Sequence, residues 1–228
     1  NEDSSIYAQL NNFLNPIEDR FFDSFLVQAL FYKLRYGEEV LRNAIPTGQN
    51  FNPKGLFYCG HQLEEGPRLY YQWLSKSLSS AEYVLVIDVH TGLGRKGQES
   101  LFHKIVSTDS SKLSRNLDRQ LERDYATSGA AAYGFNGAYS EAYTQFAGSF
   151  SVDFVAQEFG TYPNLYVLHA LRDENRTHHL GNRSIKSPPK QHLREAFSPD
   201  HSLWQTKVIR DGVTLFERSA KVIFSHPI

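Results

Sequence analysis

Residues 83–94 read Tyr-Val-Leu-Val-Ile-Asp-Val-His-Thr-Gly-Leu-Gly, and the stretch changes character halfway. Val84 to Ile87 form an apolar, β-branched run of the kind required by a strand whose sheet is covered on both faces. Asp88 and His90 follow where that strand is expected to end, before a glycine-rich loop. In open α/β sheets the carboxyl edge is where ligands bind, because strands hold side chains rigidly while loops leave room for a substrate. Two residues apart on a strand, Asp88 and His90 leave the same face. That spacing suits a structural hydrogen-bonded pair, and equally a carboxylate that supports a metal-bound imidazole.

Outward from this strand the chain alternates helix and strand. Leu69, Tyr70, Trp73, Leu74 and Leu78 recur at helical spacing and predict an amphipathic helix over Pro67–Ser77. After the Gly92–Gly97 loop, Leu101–Thr108 reads as a second strand and Ser110–Tyr125 as a charged helix with Leu113, Leu117 and Leu121 inward. The segment from Ala126 to Gly148, with Tyr133, Tyr139 and Tyr143, reads as a loop near a site, although surface packing accounts for the tyrosines equally well. Val152, Phe154 and Val155 predict a third strand, with Glu158 at its end beside Gly160.

Helices are expected from Pro163 to about His179, from Lys190 to Phe197, and from about His201 to Phe224, the last burying Trp204, Val208, Leu215, Phe216 and Ile223. Upstream, Ser4–Leu14 reads as a short helix. Pro16 then opens a longer one to Tyr36, with Ile17, Phe21, Phe22, Phe25, Leu26, Ala29 and Leu30 as its buried stripe and Gly37 as its stop. Glu38–Ile45 is a further short helix, and Thr47–Gly60 is dense in turn formers. No linker separates these elements. The expectation is an α/β fold in a single domain, with a mixed, mostly parallel central sheet and helices on both faces.

Composition narrows the partners. At 228 residues and 40% hydrophobic, the chain is long enough to bury a core. A formal net charge of −1 provides no basic footprint, which argues against nucleic acid or an anionic membrane and favours a small-molecule or peptide partner. Cys59 is the one cysteine, so an internal disulfide and a multi-cysteine zinc site are excluded, and a metal would need His and carboxylate ligands. No run of about 18 apolar residues occurs, and the expected location is cytoplasmic. Methionine is absent, including at position 1, so residues are expected upstream of Asn1.

A histidine and a glutamate, each at the end of its own strand beside glycines, make a simple hydrolytic pair: His90 to hold a metal and Glu158 to move the proton of its water. The competing account is a pair of buried, hydrogen-bonded structural residues. His-x-x-Glu occurs twice, as His61–Glu64 and His192–Glu195, and on a helix that spacing would bring both donors to one face. The first lies in a turn-rich stretch and the second in a charged surface helix. His178-His179 diverge on a helix, which favours solvation or an interaction with its C-terminal dipole.

Four ordered motifs carry a resemblance. Gly48-Gln…Gly55-Leu-Phe-Tyr…Gly60, Ile87-Asp-Val-His-Thr-Gly-Leu-Gly94, Glu158-Phe-Gly-Thr and Val167-Leu-His-Ala-Leu-Arg-Asp-Glu-Asn175 resemble an uncharacterised bacterial branch of the zinc carboxypeptidase superfamily, related to aspartoacylase and succinylglutamate desuccinylase. The resemblance runs from about Ile6 to Phe224. It implies a zinc carboxypeptidase-like fold, zinc as cofactor, His90 as the last zinc ligand and Glu158 as catalytic base, while Asp88 stays open between a carboxylate that orients the His90 ring and a purely structural strand-end acid. It further implies cleavage of an amide bond near a carboxylate, in a peptide or an N-acyl amino acid. The family's upstream His-x-x-Glu and its carboxylate-gripping Asn-Arg are not at their places in this chain, and His61 and Glu64 fall where the family has loop residues. Two alternatives stand beside the zinc hydrolase: a binding or structural module that keeps the fold without the metal, and a hydrolase that uses Glu158 without metal.

Overall fold

A computed structural model describes residues 2–17, 23–105, 142–143, 150–181 and 184–224. The described chain divides into two compact units. One holds the residues before Glu65 together with Leu165–Ala196, and the other holds the remainder.

In the first unit, α1 (Glu2–Leu14) buries Tyr7, Leu10, Phe13 and Leu14. The next helix, α2, runs Phe25–Tyr36 and not from Pro16, because Asp23 and Ser24 are not helical. Its buried face also differs from the expected stripe. Phe25 and Ala29 are buried, with Tyr32 and Tyr36 packed beside them, a spacing of 4, 3 and 4 that stays on one side of a helix. Leu26 is 70% exposed and Leu30 57%. Two stripes compete in this apolar helix, and the one that stacks Phe25 on Phe13 of α1 takes the core. The short α3 (Glu38–Ala44) follows directly, Gly37 at φ +83° making the corner. Residues 47–60 are irregular, with one bridge between Gln49 and Tyr58. Further on come α5 (Asn164–His179) and α6 (Pro188–Phe197), and α5 carries the buried Arg172, which donates from Nε to Phe13 O at 2.5 Å and pairs with Asp23 through its guanidinium. Burial opposes ionisation of Asp23, but Arg172, with Arg176 behind it, holds the carboxyl below its usual value.

The second unit holds α4 (Glu65–Ser77), three strands and the long α7 (Ser202–Phe224). The strands are β1 (Tyr83–Gly92), β2 (Glu99–Ile105) and β3 (Ser151–Gly160), in the order β1-β3-β2. The sheet is mixed: β1 and β3 are parallel, with Tyr83 opposite Ser151 and Gly92 opposite Gly160, while β2 runs antiparallel to β3. Among the described strands the predicted parallel majority is therefore not seen, with one pairing of each kind. The middle place in this order does not go to β1. That place belongs to β3, which is buried along nearly its whole length despite Asp153, Gln157 and Glu158.

Alternation along the strands sorts the two faces. Val84, Val86, Val152, Phe154 and Ala156 pack with Leu74, Tyr70 and Tyr71 of the α4 side and with Tyr143. Leu85, Ile87, Leu101 and Val155 pack with Leu215 and Val222 of α7. Helices thus cover both faces, as the sequence predicts. Within α7, Trp204 and Leu215 are buried as expected, whereas Phe216 is 63% exposed. The helix predicted over Ser110–Tyr125 lies outside the described residues, as does the Ala126–Gly148 segment apart from Ala142 and Tyr143.

Candidate active site

Register decides what β1 and β3 bring together. His90 stands opposite Glu158 and Asp88 opposite Ala156 in the parallel pairing. Partners in register share a sheet face, so all three side chains leave on the α4 side, just beyond the apolar Val84 and Val86. The strands continue two residues past this row, to Gly92 and Gly160, so the polar residues sit within the last turn of paired backbone and not after it.

His90 Nε2 lies 2.9 Å from Asp88 Oδ2. The Asp88 hydrogen bond raises the imidazole above its usual value, partial burial opposes the shift, and the charges of Asp88 and Glu158 reinforce it. With Nε2 turned to Asp88, Nδ1 has no partner among the described residues. Glu158 is only 8% exposed, and its Oε1 accepts the backbone N–H of Leu93 at 3.0 Å. Burial pushes its carboxyl above the ordinary value. The Leu93 N–H and the His90 charge pull it back, while Asp88 pushes it further up. The three groups therefore sense one another electrostatically.

The loop from Leu93 to Gln98 passes from β1 to β2 across the end of the intervening β3. Gly97 N donates to Gly160 O and Gly160 N to Gln98 O, both at 2.9 Å, and Trp204 Nε1 donates to the same Gly160 oxygen. A Cβ at Gly160 would stand 2.1 Å from Arg95 O, so the crossing requires glycine there. A Cβ at Gly92 would meet the Phe197 ring at 2.9 Å. Thr161 Oγ1 donates to Gly92 O at 3.1 Å and ties the two strand ends together.

Tyr143 is the residue that sequence reasoning left between two roles. It is buried, its hydroxyl is 2.5 Å from that of Tyr70, and burial followed by the Tyr70 hydrogen bond pushes its phenol upward, with a further contribution from Asp88. No periodicity around position 143 announces this. The Leu93 amide and the Gly160 crossing were equally illegible, since both arise from a loop meeting a strand more than 60 residues away.

The other candidates separate from this centre. His61 and Glu64 belong to the first unit, on exposed residues that are not helical, so their spacing does not set them on one face. His192 packs its ring against Tyr166 and His169, with centroids 4.8 and 6.1 Å away. His178 lies 3.3 Å from Lys190 Nζ in the last turn of α5. Cys59 is exposed, with Sγ near Gln49 O.

A catalytic zinc takes about three protein donors and a water. His90, backed by Asp88, fits one such position through Nδ1, the usual carboxylate–histidine arrangement. Among the described residues no group of three His, Cys, Asp or Glu side chains is arranged to hold a metal ion, so they do not complete a zinc site. No helix among them is long and apolar enough to cross a membrane.

A family model described as a protein of unknown function (DUF2817) matches residues 2–211. No curated protein and no solved structure matches the chain.

Proposed function

The chain belongs to the DUF2817 family, and we propose that it is a hydrolase of the zinc carboxypeptidase type that cleaves an amide bond near a carboxylate, in a peptide or an N-acyl amino acid. The observation that carries this reading is the register of β1 and β3, which sets an Asp88-supported imidazole across from a buried glutamate on one face. Glu158 is the general base. Its Oε1 is held by the Leu93 N–H, leaving Oε2 to take a proton from the attacking water and return it to the leaving amine. Burial places the carboxyl's affinity for a proton above that of an exposed glutamate, closer to what a base at neutral pH requires. Asp88 holds the His90 ring and fixes its tautomer. Zinc belongs to this reading: His90 is the ligand the described residues offer, and a bound zinc supplies a water of lowered pKa.

Metal content and turnover of the intact protein, measured together on a panel of N-acyl amino acids and short peptides, test the assignment. Glu158→Gln should keep its zinc and lose turnover, and His90→Ala should lose both. Near wild-type turnover in Glu158→Gln excludes the base, and full zinc occupancy in His90→Ala excludes the ligand. A wild-type protein that takes up no zinc under zinc-replete conditions and hydrolyses nothing returns the chain to the second reading, a binding module that keeps the fold.

A further inference from the structure

We infer that the outer face of α2 is the seam of a homodimer, with a second copy of this chain laid antiparallel against it. The inner face of the helix is already taken: Phe25 and Ala29 are buried, with Tyr32 and Tyr36 packed beside them. The outer face carries Leu26, Val27, Leu30, Phe31 and Leu34, each more than half exposed. Steps of 1, 3, 1 and 3 residues keep these five on one side of a helix, opposite the core stripe. Lys33 and Arg35, both in the last turn, flank the stripe as a charged rim. A helix that is apolar on two sides has surface to bury on two sides, and the core uses only one.

Size, sequence and charge select the occupant. The exposed parts of the five side chains amount to roughly 600 Å², as large as the biggest apolar patch of an ordinary monomer. Two such faces laid together remove roughly 1,200 Å² from water, the size at which stable, specific interfaces begin. The stripe is also its own complement. Reversing it about Leu30 sets Leu26 against Leu34 of the other copy and Leu30 against itself, with Val27 and Phe31 filling the flank, as a two-fold contact requires. Parallel copies would bring four cations together, Lys33 and Arg35 from each helix. Antiparallel copies set the basic turns at opposite ends of a helix about 18 Å long and oppose the helix dipoles favourably.

Sedimentation equilibrium of the intact protein over about 1–100 µM tests this. The wild type should show a monomer–dimer equilibrium within that range. Leu30→Glu, and Leu34→Lys separately, should each weaken it about 100-fold or more, because a substitution on a two-fold seam counts twice. Leu26→Glu combined with Leu34→Lys should recover the dimer, since antiparallel pairing sets the new carboxylate of one copy beside the new ammonium of the other. Within one helix those positions lie about 12 Å apart and do not pair. Ile209→Glu, at an exposed position on α7, should leave the dimer intact. All the substituted side chains are exposed in the single copy, so the variants should keep the wild-type far-UV helix signal; should Leu30→Glu lose it, the paired Leu26 and Leu34 variants decide. A dimer that survives Leu30→Glu with its fold intact overturns the inference, and a double variant no tighter than its singles overturns the antiparallel arrangement. A wild type that stays monomeric at about 100 µM also overturns it. Maleimide labelling of Leu30→Cys in a Cys59→Ser background then identifies the alternative: protection assigns the face to another segment of the same chain, and full labelling leaves it to solvent.

Discussion

Two polar clusters in this molecule differ in what they leave unfinished. In the first unit, the turn between Gln49 and Cys59 is built on neutral amides. Gln49 Oε1 accepts the N–H groups of Phe51 and Asn52, and its Nε2 donates to Asn52 O. Asn15 Oδ1 accepts Leu56 N at 2.7 Å, and its amide nitrogen donates to Tyr7 Oη and Asn11 Oδ1. Gly55 lies against the amide nitrogens of Asn15, Asn52 and Gln49, with no room for a Cβ. Each group's capacity is spent on the fold. In the second unit, Asp88, His90 and Glu158 are ionisable, two of them with shifted proton affinities, and among the described residues one imidazole nitrogen and one oxygen of each carboxylate are left over. A polar cluster that satisfies itself with neutral groups specifies a structure, while one that keeps charge and unused valence is equipped to act on something else.

The sharpest way to break that contrast is Glu158→Gln. The amide can still accept the Leu93 N–H but cannot take a proton, so turnover should fall by about 10³-fold. Stability should move the other way. Because the carboxyl's proton affinity is raised in the folded state, its favourable contribution is present below the ordinary glutamate value of 4.5 and is lost as pH rises through the raised value. At neutral pH the wild type carries a burial penalty that glutamine lacks. The variant should therefore melt at or above the wild-type temperature at pH 7, with the difference closing near pH 4; a lower melting temperature at pH 7 would make Glu158 a structural residue like Asn15.

Gly160→Ala should be next in size. The added methyl collides with the Arg95 carbonyl and should cost about 3 kcal/mol in urea unfolding, lowering turnover as well because the Leu93 amide moves with the loop. Asn15→Ala strands the buried Leu56 N–H and should cost about 2 kcal/mol, with turnover per folded molecule unchanged. A loss of turnover there would erase the division of labour between the clusters. The smallest expected effect is that of Asp88→Asn. Without the carboxylate that raises it, His90 should deprotonate at lower pH, so the rising limb of kcat/KM should move toward acid, while the peak rate falls less than about tenfold. A limb that does not move would detach Asp88 from the site.

Much of this was legible in the sequence. The apolar run Val84–Ile87 and the apolar Val152, Phe154 and Val155, each followed a few residues on by a glycine, marked two strands, and the polar residues before the glycines marked the candidate site. Register was not legible, because whether His90 meets Glu158 or its neighbour depends on a pairing between segments 68 positions apart, and a one-residue slip would turn Glu158 to the other face. The central place of β3 was hidden for a related reason. Asp153, Gln157 and Glu158 make it read as a half-exposed strand, yet all three are buried, with Gln157 donating to Glu99 and Tyr83 to Asp153. Partners supplied by distant residues leave no periodic trace. On α2 the failure was of another kind: the helix is apolar on more than one side, so spacing alone did not choose between Leu26 and Tyr32.

The crossing of the Leu93–Gln98 loop over β3 also fixes the order in which this sheet can be completed. β1 and β2 are neighbours in the chain, six residues apart, yet they never pair, since the slot between them belongs to a strand that begins at Ser151. During synthesis both strands emerge first and must wait with facing edges unpaired, or join in a hairpin that has to be undone before β3 enters. At about 5–20 residues per second the wait lasts several seconds. Any chain arrested before Ser151 therefore presents two open edges, and has neither the middle strand of the sheet nor the glutamate.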